Sequence, residues 1–191
     1  MTPFELPQGY EEIRNINLQK NIKLTILING GALVIGAAMF CIGTFFVPFT
    51  FDIFADNPLL HLAQLFGMLI AIVLYMLAHE LIHGIFIKKY SGKKAKYGFT
   101  GLYAFAGSDA YFNKSQYIVI ALAPVVFFGI VFLLLNIFLP ANLFWPIYFM
   151  QIMNLSGAAG DFYITALACR LPSDILTRDS GVSMKIYSRT K

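Results

Sequence analysis

Four uninterrupted apolar runs constrain this chain more than any other feature of its sequence. Each is long enough to cross the hydrocarbon core of a bilayer as a helix, which takes about 20 residues. Only 13% of the residues are charged and 58% are hydrophobic, a balance unlike that of a soluble domain. We therefore predict an all-α membrane protein with four transmembrane helices, at about residues 24–49, 59–87, 117–139 and 142–169.

The positions of the basic residues predict how these helices are oriented. Of the fourteen Lys and Arg residues, three precede the first run, six lie between the second and third, and five follow the fourth. Because cytoplasmic loops are enriched in Lys and Arg, we expect both termini in the cytoplasm, on a single integral membrane domain over residues 1–191. Residues 1–23 then form a cytoplasmic segment and residues 170–191 a cytoplasmic tail. We therefore expect the protein in the cell membrane, with the lipid bilayer as a partner. This topology explains the net charge of +4, so a nucleic-acid partner is not needed to explain it.

Aromatic residues alternate along the basic loop between the second and third runs. Tyr97, Phe99, Tyr103 and Phe105 all occupy odd positions, which places them on one face of a strand. The Gly-Ser-Asp sequence that follows predicts a turn and a short return strand, so we expect a small membrane-associated β-hairpin at about residues 97–112. Its aromatic face is either an interfacial anchor or an edge that binds a substrate strand through Phe99, Tyr103 and Phe105.

Ionisable side chains are few within the four predicted spans, which contain no Lys or Arg. They are His61, His79, Glu80, His83 and Asp161. A charged group near the centre of a membrane helix costs on the order of 3 kcal/mol, so each of them needs a partner or a function. His61 lies at the outer end of the second span, where water and headgroups can satisfy it.

The sequence HELIH at residues 79–83 carries the strongest chemical signal in the chain. His79 and His83 are four residues apart and share one face of a helix, while Glu80 lies beside them. In this motif two histidines bind zinc and the glutamate acts as general base. The alternative is a chance match in a core helix, but three polar side chains buried in a membrane without a metal are costly.

A catalytic zinc ion generally has three protein ligands, so one ligand remains to be found. With both termini on one side, the second and fourth spans run in the same direction. His79, His83 and Asp161 then lie within roughly 6 to 12 Å of the cytoplasmic boundary, given the helical rise. We predict Asp161 as the third ligand of one Zn²⁺ per chain; the alternative is a purely structural carboxylate.

HELIH, Ala123-Pro124 near the start of the next span, and Asn154 followed by Asp161 resemble the core of the site-2 protease clan of intramembrane zinc metalloproteases. The segment ELPQGYEEIRNINLQKN and the compact size are more similar to its small bacterial relatives, the membrane family called "putative zincin peptidase". The resemblance implies that Asn154 contacts the substrate or the transition state and that the hairpin holds an extended substrate strand.

The chain departs from the pattern of that clan after Asn154. Gly157 replaces the usual proline, and Asp161 follows Asn154 by seven residues instead of eight. Seven residues are two helical turns, so both side chains can share a face. Gly157 and Gly160 can loosen the helix in place of the proline.

Together these features predict a zinc metalloprotease of the HExxH type. It is expected to be a membrane-embedded endopeptidase that hydrolyses a peptide bond of membrane protein or peptide substrates near the cytoplasmic face. The alternative function is that of a non-catalytic zinc-binding membrane protein, which acts as a carrier, a sensor or a scaffold. Glu80 argues against a carrier, because a carrier has no use for a general base beside its metal.

Overall fold

The computed structural model describes residues 4–49, 58–101 and 103–189, without the side chains of Pro58, Leu60 and His61. The described residues form a mostly helical fold with a few antiparallel strands. In chain order the elements are β1 (Tyr10–Ile16), α1 (Ile22–Phe46), α2 (Pro58–Ser91), β2 (Lys96–Phe99), β3 (Ala104–Gly107), β4 (Tyr111–Asn113), α3 (Lys114–Phe138), a 3₁₀ turn (Ala141–Leu143), α4 (Phe144–Gly157), α5 (Ala159–Arg170), β5 (Leu176–Asp179) and β6 (Met184–Arg189).

Within the described part of the chain, three helices are long and apolar enough to cross a membrane: α1, most of α2, and α3. Their outer faces carry large apolar side chains in the open, for example Leu33, which is 76% exposed, and Phe138, which is 78% exposed. A continuous exposed apolar surface is unfavourable in water and natural in lipid. The helices therefore indicate a membrane protein.

The prediction of one continuous helix over residues 142–169 is wrong. The segment forms α4 and α5, which are separated at Ala158. Gly157 and Gly160 flank the break, and glycine lowers helix stability by about 1 kcal/mol relative to alanine. Because α4 has 14 residues and α5 has 12, neither is long enough to span alone. The count of four crossings thus remains a prediction.

A four-stranded antiparallel sheet with the order β1-β6-β5-β4 joins the two ends of the chain. It was not expected, because residues 1–23 and 170–191 were predicted only as a cytoplasmic segment and a tail. β1 runs into α1, and β6 follows α5, so the pairing of β1 with β6 places the start of the first helix and the end of the last at the same end of the helical bundle. An even number of crossings requires this arrangement.

The hairpin prediction needs two corrections. The first is the turn, which lies between β2 and β3, where Gly101 has a positive φ of 89°. The return strand expected at residues 110–112 instead belongs to β4, and pairs with β5. Alternation continued across the turn, so the periodicity alone did not reveal it.

The second correction concerns the aromatic face of the hairpin. Tyr97 pairs with Ala106 and Gly98 pairs with Phe105. Directly paired residues share a face, so Phe105 lies on the opposite face from Tyr97 and Phe99. The prediction of a single aromatic face is therefore wrong.

The main cluster of buried apolar residues lies where the sheet packs against the helix ends. Ile87 of α2, Ile120 of α3 and Ala168 of α5 meet there beneath the fully buried Phe112 and Ile186 of the sheet. Close packing of this kind has little freedom to shift. It fixes α2, α3 and α5 relative to one another within about a turn of the HELIH sequence.

Candidate metal centre

The helix α2 presents His79 and His83 side by side on its inner face. The centroids of the two imidazole rings are 4.8 Å apart, and each residue is only 9% exposed. Their spacing of four residues produces this arrangement, because residues at i and i+4 stack on the same face of an α-helix.

Asp161, in the first turn of α5, meets both histidines. Its Oδ2 lies 3.6 Å from His79 Nε2, and its Oδ1 lies 3.7 Å from His83 Nε2. The break at Ala158 makes Asp161 a first-turn residue, where the positive end of the helix dipole favours a carboxylate. The three predicted ligands are thus brought together from two helices.

The outer nitrogens of the two imidazoles are already hydrogen bonded. His83 Nδ1 donates to the backbone carbonyl of Ile120, at 2.7 Å. His79 Nδ1 lies 3.0 Å from the Tyr75 hydroxyl, which itself donates to Asn154 Oδ1 at 2.9 Å. A hydroxyl has a single proton, so Tyr75 must accept from His79.

These bonds decide which nitrogens are free. In a neutral imidazole, a proton on Nδ1 leaves Nε2 as an acceptor, so both Nε2 lone pairs and the Asp161 carboxylate face one another as acceptors. Such a set needs a cation between its members. Ligand atoms around a tetrahedral zinc ion lie about 3.3 to 3.6 Å apart, given zinc–ligand distances of about 2.0 to 2.2 Å. The donor set therefore fits Zn²⁺.

Glu80 lies next to this set. Ligand atoms of His79, Glu80 and His83 all lie within 4.8 Å of one another. The backbone amide of Ala106 in β3 lies near the Glu80 carboxylate and interacts favourably with its charge. Glu80 is thus held between the histidines and the hairpin, where a general base is needed.

The outer edge of β3 faces Glu80. Thr100 N–H donates to the Tyr103 carbonyl at 3.0 Å, and hydrogen-bonded pairs alternate with non-bonded pairs along an antiparallel ladder. The amides of Ala104 and Ala106 therefore point away from β2. The interaction of the Ala106 amide with Glu80 agrees with this direction.

The other predicted site residues have contacts of their own in the fold. Asn154 is completely buried, and its Nδ2 donates to the Val125 carbonyl at 3.0 Å, so both ends of its side chain are bonded. Phe99 is 66% exposed on β2. Tyr103 precedes β3, and its N–H donates to Thr100 Oγ1, while Phe105 packs against Gly98 and Gly181.

Asp179 is a partly buried acid near the site that the sequence did not indicate. Its carboxylate accepts hydrogen bonds from the Tyr117 hydroxyl and from Gly181 N–H, and burial raises its pKa above the ordinary value. Its backbone carbonyl accepts from Ser108 N–H at 2.6 Å, which ties the end of β3 to β5. An aspartate in a polar tail has no distinguishing pattern, so only the pairing of β4 with β5 reveals its position.

A helix that carries His-Glu-x-x-His, with a carboxylate from a second helix facing both imidazoles, defines the zincin class of metallopeptidase. The model of the family described as "putative zincin peptidase" matches residues 71–176, more than half of the chain. The chain belongs to this family, and the family indicates a zinc metallopeptidase. No curated protein matches the chain significantly, and neither does any solved structure.

Proposed function

We propose that this protein is a membrane-embedded zinc endopeptidase, similar to the site-2 proteases, that hydrolyses a peptide bond of membrane protein substrates near the cytoplasmic face. One observation carries the proposal: two imidazole lone pairs and the carboxylate of Asp161 converge at 3.6 and 3.7 Å beside a glutamate. His79, His83 and Asp161 would hold the metal. When bound, zinc supplies Lewis-acid chemistry, which polarises a carbonyl and lowers the pKa of water toward neutrality.

The role of the chain in the reaction falls to Glu80. It accepts the proton of the attacking water and returns it to the leaving amine. The amide of Ala106 lies near its carboxylate and interacts favourably with the charge of the base. Asp161 has a quarter of its side chain exposed, so the protein leaves that side of the site open.

The outer edge of β3 is the proposed binding site for the substrate backbone. A membrane helix satisfies its own backbone hydrogen bonds, so it must unwind locally before a carbonyl becomes accessible to attack. The outward amide of Ala104, two residues before Ala106, can pair with an extended segment. The scissile bond is thereby placed next to the general base.

Cleavage by a Glu80→Gln variant tests this function. The probe is a single-span reporter protein, reconstituted with the enzyme, whose span carries a Gly-Pro interruption near its cytoplasmic end. We expect Glu80→Gln to retain zinc, since glutamate is not a ligand in this motif, and to lose about 10²- to 10⁴-fold in rate. Glu11→Gln, at an exposed position on β1, is the control and should cleave as wild type.

Two results would contradict the proposal. Unchanged cleavage by Glu80→Gln would remove the general base from the mechanism. Retention of zinc and of function in cells by the same variant would favour the carrier, sensor or scaffold.

A further inference from the structure

The hydrogen bond between His83 and Ile120 exists because of a proline. In the interior of an α-helix, each carbonyl accepts the N–H of the residue four positions later. For Ile120 that residue is Pro124, which lies inside α3 and has no N–H to donate. The Ile120 carbonyl is thus left free by its own helix, and it accepts from His83 Nδ1 at 2.7 Å.

The bond to Ile120 determines the chemistry of the other side of the ring. A carbonyl can only accept, so His83 must carry its proton on Nδ1. Its Nε2 lone pair is thereby directed toward Asp161. Pro124 is fully buried and lies in the same helix, so the free carbonyl is a permanent feature of the fold.

His79 is oriented by a different series of hydrogen bonds, which passes through a third helix. Val125 O is an acceptor, so the Asn154 amide must turn its Nδ2 toward it and its Oδ1 toward Tyr75. Tyr75 then donates to Asn154 and accepts from His79 Nδ1. The chain of bonds links α2, α4 and α3, and it leaves the Nε2 of His79 free, as Ile120 does for His83.

We propose that Pro124 and Asn154 are positioning residues of the metal centre: Pro124 acts on His83 through the Ile120 carbonyl, and Asn154 acts on His79 through the Tyr75 hydroxyl. This inference rests on the proposed function, since it assigns roles toward the metal. It replaces the predicted contact between Asn154 and the substrate with an indirect role. Partners that orient ligating histidines typically contribute 10- to 100-fold in metal affinity.

The variant Pro124→Ala separates the positioning role from a structural one. Alanine restores an N–H that competes with His83 for the Ile120 carbonyl. We expect the Kd for zinc to rise by about 10-fold or more. The melting temperature of the metal-free protein should not fall, because alanine is a far better helix former than proline. Pro146→Ala, in the first turn of α4, is the matched control and should leave the Kd unchanged.

The variant Tyr75→Phe tests the hydrogen bonds that orient His79. It removes only the hydroxyl, and we expect a rise of about 10- to 100-fold in the Kd for zinc. Tyr148→Phe is the control: Tyr148 is 8% exposed, as Tyr75 is, and its hydroxyl also donates a hydrogen bond, to the Met39 carbonyl. If Asn154 acts through Tyr75, Asn154→Leu should weaken zinc binding similarly, and the double variant should be no worse than either single one.

Nitrogen-15 NMR spectra of the metal-free protein, labelled at histidine, provide a readout independent of activity. In the wild type both His79 and His83 should show the form protonated on Nδ1. Tyr75→Phe should change only the His79 signals, and Pro124→Ala only those of His83.

An unchanged zinc Kd in folded Tyr75→Phe and Pro124→Ala would overturn the inference and leave the proposed function intact. If the effects of Tyr75→Phe and Asn154→Leu on the zinc Kd multiply in the double variant, Asn154 does not act on His79 through Tyr75. A wild-type protein that binds zinc but cleaves no membrane reporter would refute the proposed function alone.

Discussion

Asp161 Oδ1 lies 3.7 Å from His83 Nε2, and this approach joins α5 to α2 through two acceptor atoms that need a cation between them. The same carboxylate reaches His79 with its other oxygen. Two imidazoles one turn apart on the same helix can contact an ion from one side only. Asp161 closes the site from the opposite side, so its removal should have a large effect on metal binding.

Replacement of Asp161 by alanine should abolish stoichiometric zinc binding. The two histidines alone leave the ion short of the three protein ligands that a catalytic site has. Metal analysis of the purified protein by mass spectrometry measures the effect. Asp174→Asn, which removes the charge of a carboxylate bonded to Ser188 and Arg189, is the control and should retain one zinc per chain. Full zinc content in Asp161→Ala would rule out this residue as a ligand.

The variant Ala104→Pro should lower the rate of cleavage without loss of zinc. It deletes the outward N–H at the β3 edge, and proline is tolerated where a strand's N–H points away from its partner. Phe99→Pro deletes the equivalent outward N–H of β2, since Phe99 pairs with Ala104. Peptide release from the reporter, measured for both variants, locates the substrate: loss in Phe99→Pro alone would place it on the other edge of the hairpin.

The ion pairs of Asp109 should contribute modestly to stability in a manner that depends on pH. Asp109 contacts Lys96 and Arg178 and so links β2 to β5, and these partners, Lys96 first, hold its pKa below the ordinary value of 3.8. A lowered native pKa means that the stabilisation is present above pH 3.8 and is lost as the pH falls through the native pKa.

We expect Asp109→Asn to lower the free energy of unfolding at pH 7 by no more than about 1 kcal/mol, because the pairs are exposed. The difference from wild type should shrink as the pH falls below 3.8. Denaturant titration in detergent at neutral pH and near pH 3 measures both values. A difference that grew toward low pH would contradict the assignment.

Reporter domains fused to the two ends of the chain should both be found in the cytoplasm. The pairing of β1 with β6 forces the ends to one side, and the basic residues favour the cytoplasmic side. Protease protection in sealed vesicles of known orientation measures the location of each reporter. Reporters on opposite sides would contradict the sheet itself, and two external reporters would contradict only the orientation.

The sequence was sufficient to predict the meeting of His79, His83 and Asp161. Helical spacing fixed the first two on one face, and the scarcity of charge within the spans left few candidates for the third. Depth within the membrane is a local quantity that counting residues can estimate. It therefore paired residues far apart in the chain without knowledge of the helix packing.

The sheet and the hydrogen bonds around the histidines could not be predicted in the same way. Strand partners such as β1 and β6 are distant in sequence, and polar terminal segments show no periodicity that identifies them. Tyr75 is one aromatic among many in an apolar helix, so its bond to Asn154 depends on how α4 packs. Pro124 is different, because its missing N–H predicts a free carbonyl at Ile120. The structure was needed only to show that His83 donates its hydrogen bond to this carbonyl.

X-ray absorption at the zinc edge of the purified protein tests the central claim most directly. The account predicts one zinc ion with nitrogen and oxygen neighbours at about 2.0 to 2.2 Å, with the outer scattering of two imidazoles and no sulfur neighbour. Zinc content should fall in His79→Ala and in His83→Ala, as in Asp161→Ala, and any zinc that stays bound should show the outer scattering of one imidazole. A zinc ion with sulfur neighbours, or one whose spectrum is unchanged in both histidine variants, would contradict the account.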